Sequence, residues 1–134
     1  MVDAIFASHP VPDRARVRGA ADGRKGGFMS KYLLEVKYTP DGVRGVKAQG
    51  GSARVAAATE LVESVGGKLD SFYFAFGDTD VYVVADFPDN ISAAAVAQTV
   101  TAGGGATART VVLLTAAEID AAASKTSTYR PPGS

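Results

Sequence analysis

From residue 31 onward, hydrophobic residues recur with two periods that divide the chain into strands and helices. Residues 31–38 alternate strictly: one side carries Tyr32, Leu34, Val36 and Tyr38, and the other carries Leu33, Glu35 and Lys37. A period of two predicts a half-buried strand. Residues 39–42, Thr-Pro-Asp-Gly, predict a turn that ends this strand, and residues 43–49 are expected to add a short helical turn.

Two later segments have the spacing of three and four that is typical of amphipathic helices. The first begins at Ser52, a predicted N-cap, ends at Gly66-Gly67, and has the apolar positions Val55, Ala58, Leu61, Val62 and Val65. The second runs from Ile91 to about Ala102, with Asn90 as its predicted cap and an inner face of Ile91, Ala95, Val96 and Val100. The sequence Thr115-Ala116-Ala117-Glu118 is a capping box, which predicts a short terminal helix through Ser124.

Two β-rich runs, residues 71–76 and 81–87, face each other across Gly77-Asp78-Thr79-Asp80. They predict a hairpin, because a tight turn needs residues that tolerate positive φ. A two-residue turn at Asp78 and Thr79 would pair Phe76 with Val81, Phe74 with Val83 and Phe72 with Ala85. The opposite face of the hairpin would then carry Tyr73, Ala75, Tyr82 and Val84.

With residues 106–114 as a fourth strand, the order of elements is β-α-β-β-α-β followed by a short helix. This order predicts an α+β, ferredoxin-like fold: a four-stranded antiparallel sheet with two helices on one face and the first strand in a central position. The other sheet face would remain uncovered although it is rich in Tyr and Val. Large apolar surfaces are uncommon on monomers, so we expect a homodimer packed sheet to sheet around a barrel-like space.

Composition divides the 134 residues into three parts. Residues 1–28 are rich in Pro, Gly and Arg, which predicts a flexible arm, and the second methionine, Met29, suggests that this arm is a leader or an upstream-start artefact. Residues 29–124 form the expected folded domain. Residues 125–134 include two prolines and predict a disordered tail.

Charge and residue usage exclude several classes of protein. The first 28 residues carry five basic and three acidic side chains and the remainder carries nine and eleven, so no concentrated basic face for nucleic acid is expected. No segment is long and apolar enough for a signal or a membrane span, and a cytoplasmic location is expected. The chain has no cysteine, and its one histidine, His9, lies in the arm, so neither a metal nor another cofactor is expected.

Two motifs resemble ligand sites but are better explained by local structure. Asp78 and Asp80 could act as an acid and base pair or bind a hard cation, yet in a tight turn they more simply accept hydrogen bonds from backbone N–H groups. Gly50-Gly51-Ser52, with Lys47 nearby, resembles an anion site but lacks the strand and lysine of a phosphate loop. We therefore interpret it as a helix entry.

The chain resembles the GYD-domain family, small bacterial proteins named for a Gly-Tyr-Asp motif. The resemblance covers about residues 29–124 and rests on Gly66-Gly67-Lys68-Leu69, Phe72-Tyr73-Phe74 and Gly77-Asp78-Thr79-Asp80-Val81, together with Tyr38-Thr39 and Gly42-Val43-Arg44. Thr79 stands where the family has its Tyr. The resemblance implies a dimeric α/β barrel of the ferredoxin-like kind and implies little about activity.

Charged residues on the first strand give the candidate site. Glu35 and Lys37 must face solvent, a partner or a cavity if that strand is central. Together with Tyr73, Tyr82 and Arg109 they could line a small-molecule pocket between dimerised sheets. The alternative is that Glu35 and Lys37 form ion pairs across the interface while the tyrosines anchor the dimer.

Three functions are compatible with these patterns. The first is a non-enzymatic dimeric module that holds a small organic ligand. The second is a cofactor-independent isomerase or oxygenase of the dimeric α/β-barrel type, an analogy that would need Glu35 as its general base. The third is a purely structural homodimer. With a single interior carboxylate candidate and no histidine in the folded part, the sequence favours a protein that is not an enzyme.

Overall fold

In a computed structural model that describes residues 28–133, the chain forms one four-stranded antiparallel sheet with helices against one of its faces. The strands are β1 (Ser30–Tyr38), β2 (Lys68–Phe74), β3 (Val81–Phe87) and β4 (Ala106–Leu113). The helices are α1 (Pro40–Gln49), α2 (Gly51–Ser64), α3 (Asn90–Ala102) and α4 (Ala116–Ser124). The strand order β2-β3-β1-β4 confirms the predicted ferredoxin-like α+β fold and the inner position of β1.

The hydrophobic core lies between the sheet and the helices α2 and α3. Alternate residues of β1 and β3 are buried, as their period of two predicts: Tyr32, Leu34, Val81, Val83, Ala85 and Phe87. Val55 and Val62 of α2 and Ala93 and Val96 of α3 are buried with them. Burial of each large apolar side chain stabilises the fold by about 1.5–3 kcal/mol relative to exposure, and this layer fixes which sheet face remains open.

The turn predicted at residues 39–42 is wrong, because the chain enters helix α1 there. Thr39 is the N-cap, and its hydroxyl accepts a hydrogen bond from the Gly42 N–H at 3.1 Å. Pro40 occupies the start of the helix, where its fixed φ and missing N–H are tolerated. A Thr-Pro pair thus signals a turn and a helix start equally well. The predicted N-cap Ser52 is also wrong, since α2 begins at Gly51 and Gly50 is its N-cap.

The predicted hairpin register is wrong by two residues. β2 ends at Phe74, which lies opposite Val81, and Phe72 lies opposite Val83. Residues 75–80 form a longer loop, closed by a hydrogen bond from the Ala75 N–H to the Asp80 carbonyl at 2.8 Å. Within this loop no residue has positive φ, so the expected tight turn does not form. A register shift of two residues leaves every side chain on the same face of the sheet. Tyr73 therefore still faces away from the core.

Helix α3 is capped by Asp89 rather than by the predicted Asn90. The Asp89 carboxylate accepts the Ser92 N–H at 2.8 Å, while the Asn90 side chain accepts a hydrogen bond from the Tyr32 hydroxyl at 2.5 Å. Ile91, predicted to face inward, is 79% exposed, because the helix instead buries Ala93 and Val96.

The capping box of the terminal helix is confirmed. Thr115 Oγ1 accepts the Glu118 N–H at 3.0 Å, and the Glu118 carboxylate accepts the Thr115 N–H at 2.8 Å. The predicted arm covers residues 1–28. Except for Phe28, it lies outside the described part of the chain. Among residues 28–133, no helix has the length and hydrophobicity that crossing a membrane requires.

Candidate functional site

Among residues 28–133, no helix packs on the sheet face that points away from α2 and α3, and we call this face the open face. β1 contributes four of its residues and β4 another four: Lys31, Leu33, Glu35, Lys37, Thr107, Arg109, Val111 and Leu113. β2 and β3 contribute Ser71, Tyr73, Tyr82, Val84 and Asp86. All of these side chains are half-buried or exposed, whereas Tyr32 and Leu34 of β1 and the core-side residues of β3 are buried.

Four of the five predicted site residues form one line across the open face. Glu35 lies opposite Arg109 on one side and opposite Tyr82 on the other. Tyr82 in turn lies opposite Tyr73. Because neighbouring strands are roughly 4.8 Å apart, the order Arg109–Glu35–Tyr82–Tyr73 runs across all four strands. We call this arrangement the cross-strand row. The fifth residue, Lys37, lies on the same face two positions along β1, opposite Thr107.

The loop between β2 and β3 is attached to the end of β1, beside the cross-strand row. Its Asp80 N–H donates to the Val36 carbonyl, and its Asp80 carboxylate accepts the Tyr38 N–H, both at 2.8 Å. These bonds attach the loop to the end of β1, so Asp80 has a structural role, with β1 rather than the local turn as its partner. Lys37 Nζ donates to the Asp78 carbonyl at 3.2 Å.

Thr79 is a site residue that the sequence did not identify as one. Its hydroxyl lies 3.5 Å from Glu35 Oε1, a long hydrogen bond, on the open face. Thr79 occupies the position at which the chain departs from the Gly-Tyr-Asp motif. That departure was the available signal, because the loop places this position next to the only carboxylate of the cross-strand row.

Charges are distributed unevenly along the open face. At one end Lys31 forms ion pairs with Asp86 at 3.0 Å and with Asp70 at 3.2 Å. Around the cross-strand row, within the described residues, neither Lys37 nor Arg109 forms an ion pair with Glu35. Glu35, Lys37 and Arg109 therefore form no salt bridge with one another in the described chain.

A second concave region lies on the core side of the sheet. It is a cavity of about 110 Å³ between the sheet and the helices α2 and α3, and its walls are apolar except for Tyr38 and Arg54. Burial raises the pKa of the Tyr38 hydroxyl, and the nearby Arg54 guanidinium opposes that increase. Arg54 was not identified from the sequence as a candidate residue, although its spacing from Ala58 and Leu61 places a charge on the apolar stripe of α2.

The chemistry of the open face favours binding. The cross-strand row offers one carboxylate, two phenols and one guanidinium, which can accept and donate hydrogen bonds and stack on an aromatic ring. Among residues 28–133, no three His, Asp or Glu side chains converge as a set of metal ligands.

Fold and site together define a class: a small ferredoxin-like α+β domain whose sheet has one face covered by helices and one polar-aromatic face left open. Within that class, the chain belongs to the GYD-domain family, whose family model, described as GYD domain, matches residues 32–123. No curated protein and no solved structure matches the chain significantly. The matched range includes every residue of the cross-strand row.

Proposed function

We propose that this protein is a small dimeric binding module without catalytic activity, which holds a small organic ligand between the open faces of two copies. The observation that carries the proposal is the cross-strand row, in which Glu35, Tyr82, Tyr73 and Arg109 align across four strands. Such a set of polar groups on a largely apolar surface is typical of small-molecule sites, where a few polar groups fix the orientation of the ligand.

Exposed apolar area on the open face supports the dimer. Tyr73 is 66% exposed and Tyr82 is 41% exposed, and next to them Leu33 and Val84 are only half-buried in a single chain. Contiguous apolar patches of this kind mark interaction surfaces. A second copy would cover them by the same surface, as a two-fold interface requires.

The charged groups Glu35, Lys37 and Arg109 of the open face, which form no salt bridge with one another in the described chain, support the binding of a ligand. If two open faces met without a ligand, Glu35, Lys37 and Arg109 would lose water, and a desolvated charge must then find a partner. An organic acid or amide with an aromatic ring would supply both the hydrogen-bonding groups and the apolar surface. Reciprocal pairing of Glu35 with Lys37 or Arg109 of the second copy is the alternative, and it corresponds to a purely structural homodimer.

A thermal-shift screen of aromatic acids and polar metabolites on the full chain tests this function. A ligand that binds only the folded state raises the apparent stability by RT ln(1 + [L]/Kd), about 2.7 kcal/mol at a hundredfold excess over Kd. We expect at least one such compound, and we expect Glu35→Gln to reduce its effect. The matched control is Glu60→Gln on the exposed surface of α2, which should leave the shift unchanged.

Absence of stabilisation by every compound would contradict the binding function and favour the structural homodimer. The enzymatic alternative, a cofactor-independent isomerase or oxygenase, rests on Glu35 as the general base, because the row holds no other carboxylate and no histidine. Turnover of a bound compound that is lost in Glu35→Gln would replace the binding function by that alternative.

A further inference from the structure

We propose a second ligand site on the other side of the sheet: the cavity between the sheet and helices α2 and α3 binds a carboxylic acid with a short alkyl chain, and Arg54 and Tyr38 hold the carboxylate. This site is separate from the cross-strand row and goes beyond the proposed function. The side chains of β1 alternate, so Tyr38 faces the helices while Glu35 and Lys37 face away from them.

The walls of the cavity suit an alkyl chain. Leu34, Val83 and Phe72 line it from the sheet, and Val62 and Val96 line it from the helices. Its volume of about 110 Å³ is below the ~150 Å³ of an apolar cavity that holds a benzene ring. A short alkyl chain of about four carbons therefore fits better than an aromatic or fused ring.

An entrance connects this cavity with the surface. A neighbouring cavity of about 420 Å³ shares Tyr38 and Arg54 with it and extends between α1 and the C-terminal end of α3. Gly42, Gly103 and Gly105 are among the residues that line this passage. Tyr38 and Arg54 thus stand where the apolar cavity meets the wider, more polar entrance.

The charge at this boundary specifies the head group. Arg54 is only partly exposed, and among the described residues no carboxylate forms an ion pair with its guanidinium. The Tyr38 hydroxyl can donate a hydrogen bond, and burial raises its pKa. The negative charge of Asp80 also raises the pKa of Tyr38. The Asp80 carboxylate accepts a hydrogen bond from the Tyr38 backbone N–H at 2.8 Å. A guanidinium beside a phenol donor is complementary to a carboxylate.

Binding of butyrate to the full chain, measured by calorimetry and by NMR shifts, tests the proposal. We expect butyrate to bind more tightly than butanol, which lacks the charge, and butylammonium, whose charge is opposite. Arg54→Gln should weaken butyrate binding roughly tenfold or more, as the loss of a charge-assisted hydrogen bond predicts. Arg54→Lys keeps the charge and should retain most of the affinity. Arg44→Gln, an arginine of α1 that is paired with Asp41, is the matched control and should change nothing.

A second variant tests the alkyl part of the site independently. Ala108 of β4 lines the cavity, and Ala108→Leu should fill it and abolish butyrate binding while circular dichroism reports an intact fold. The proposal is overturned if butyrate does not bind the wild type, if butylammonium binds equally well, or if Arg54→Gln leaves the affinity unchanged. Since the Arg54 variants alter a partly exposed helix residue, they decide the question even if Ala108→Leu fails to fold. None of these outcomes depends on the open face.

Discussion

Asp89 shows how one side chain couples a helix to pH. Its carboxylate accepts the Ser92 N–H at the start of α3, and this hydrogen bond lowers the pKa of Asp89 below its ordinary value. The ionised cap therefore stabilises the folded state above the ordinary carboxyl pKa. That stabilisation is lost as the pH falls through the lowered pKa of the folded state.

The substitution Asp89→Asn keeps a capping side chain at the start of α3 but removes its negative charge. Asn caps helices about as well as Asp, so we expect little change in the melting temperature at neutral pH and a weaker loss of stability on acidification than in the wild type. Thermal unfolding between neutral pH and about pH 3 measures this difference. Asp120→Asn, on the exposed surface of α4, is the matched control. Parallel acid profiles of the wild type and Asp89→Asn would contradict the assignment of the cap.

At the residue scale, alternation along a strand predicts which sheet face a side chain occupies. Roles that depend on tertiary contacts cannot be predicted in this way. The period of two in a strand assigned faces to Glu35, Lys37, Tyr73 and Tyr82, and a register error of two in the hairpin did not move the tyrosines. Arg109 was added to the site without such an assignment, and it lies opposite Glu35. Thr79 and Arg54 were missed for a different reason. Each acquires its role from a residue more than ten positions away, Glu35 or Tyr38, which local pattern cannot reveal.

Helix α1 illustrates a constraint between elements. The Gly42 backbone packs against Gly105 at the start of β4, and a Cβ atom at position 42 would lie 1.9 Å from the Gly105 carbonyl oxygen. Both partners are backbone atoms, so no side-chain rotation relieves the clash. The Thr39 N–H also donates to the Gly105 carbonyl, at 2.9 Å. The close contact between α1 and Gly105, which directly precedes β4, therefore requires glycine at position 42.

Gly42→Ala should therefore destabilise the fold by about 1–3 kcal/mol, the usual cost of overpacking. Gly45→Ala is the matched control on the same helix, since nothing lies within 4 Å of its Cβ position. That variant should be neutral or stabilising by up to about 1 kcal/mol, because Ala is the better helix former. Urea unfolding of both variants measures the difference, and equal free energies of unfolding would refute the close contact.

Elements with a strong periodic pattern were predictable, and those with ambiguous end signals were not. The strands β1 and β3 and the capping box of α4 follow directly from their residues. The start of helix α1 was missed, although a short helical turn was expected at residues 43–49, because Thr39-Pro40 begins helices as well as turns. The hairpin register was missed because Asp80 bonds to Tyr38 of β1, a tertiary contact that favours a longer loop over a tight turn.

The whole molecule has two chemically different sides of one sheet. The core side is closed by α2 and α3 and retains an apolar cavity with Arg54 and Tyr38 at its boundary. The open side carries the cross-strand row and has no covering layer within the described chain. The sequence predicted the open face from the count of elements, since two helices cover one side only. The cavity could not be predicted, because it depends on how small residues of several elements pack together.

The central claim is that the open face is covered by a second copy, and light scattering coupled to size-exclusion chromatography tests it most directly. The matched pair lies on adjacent residues of β4: Val111 faces the open side and is 37% exposed, while Val112 faces the opposite side and is 55% exposed. At micromolar concentration, we predict twice the mass of one chain for the wild type and Val112→Arg, and a shift toward the single-chain mass for Val111→Arg. A wild-type protein that elutes with the mass of one chain would contradict the account.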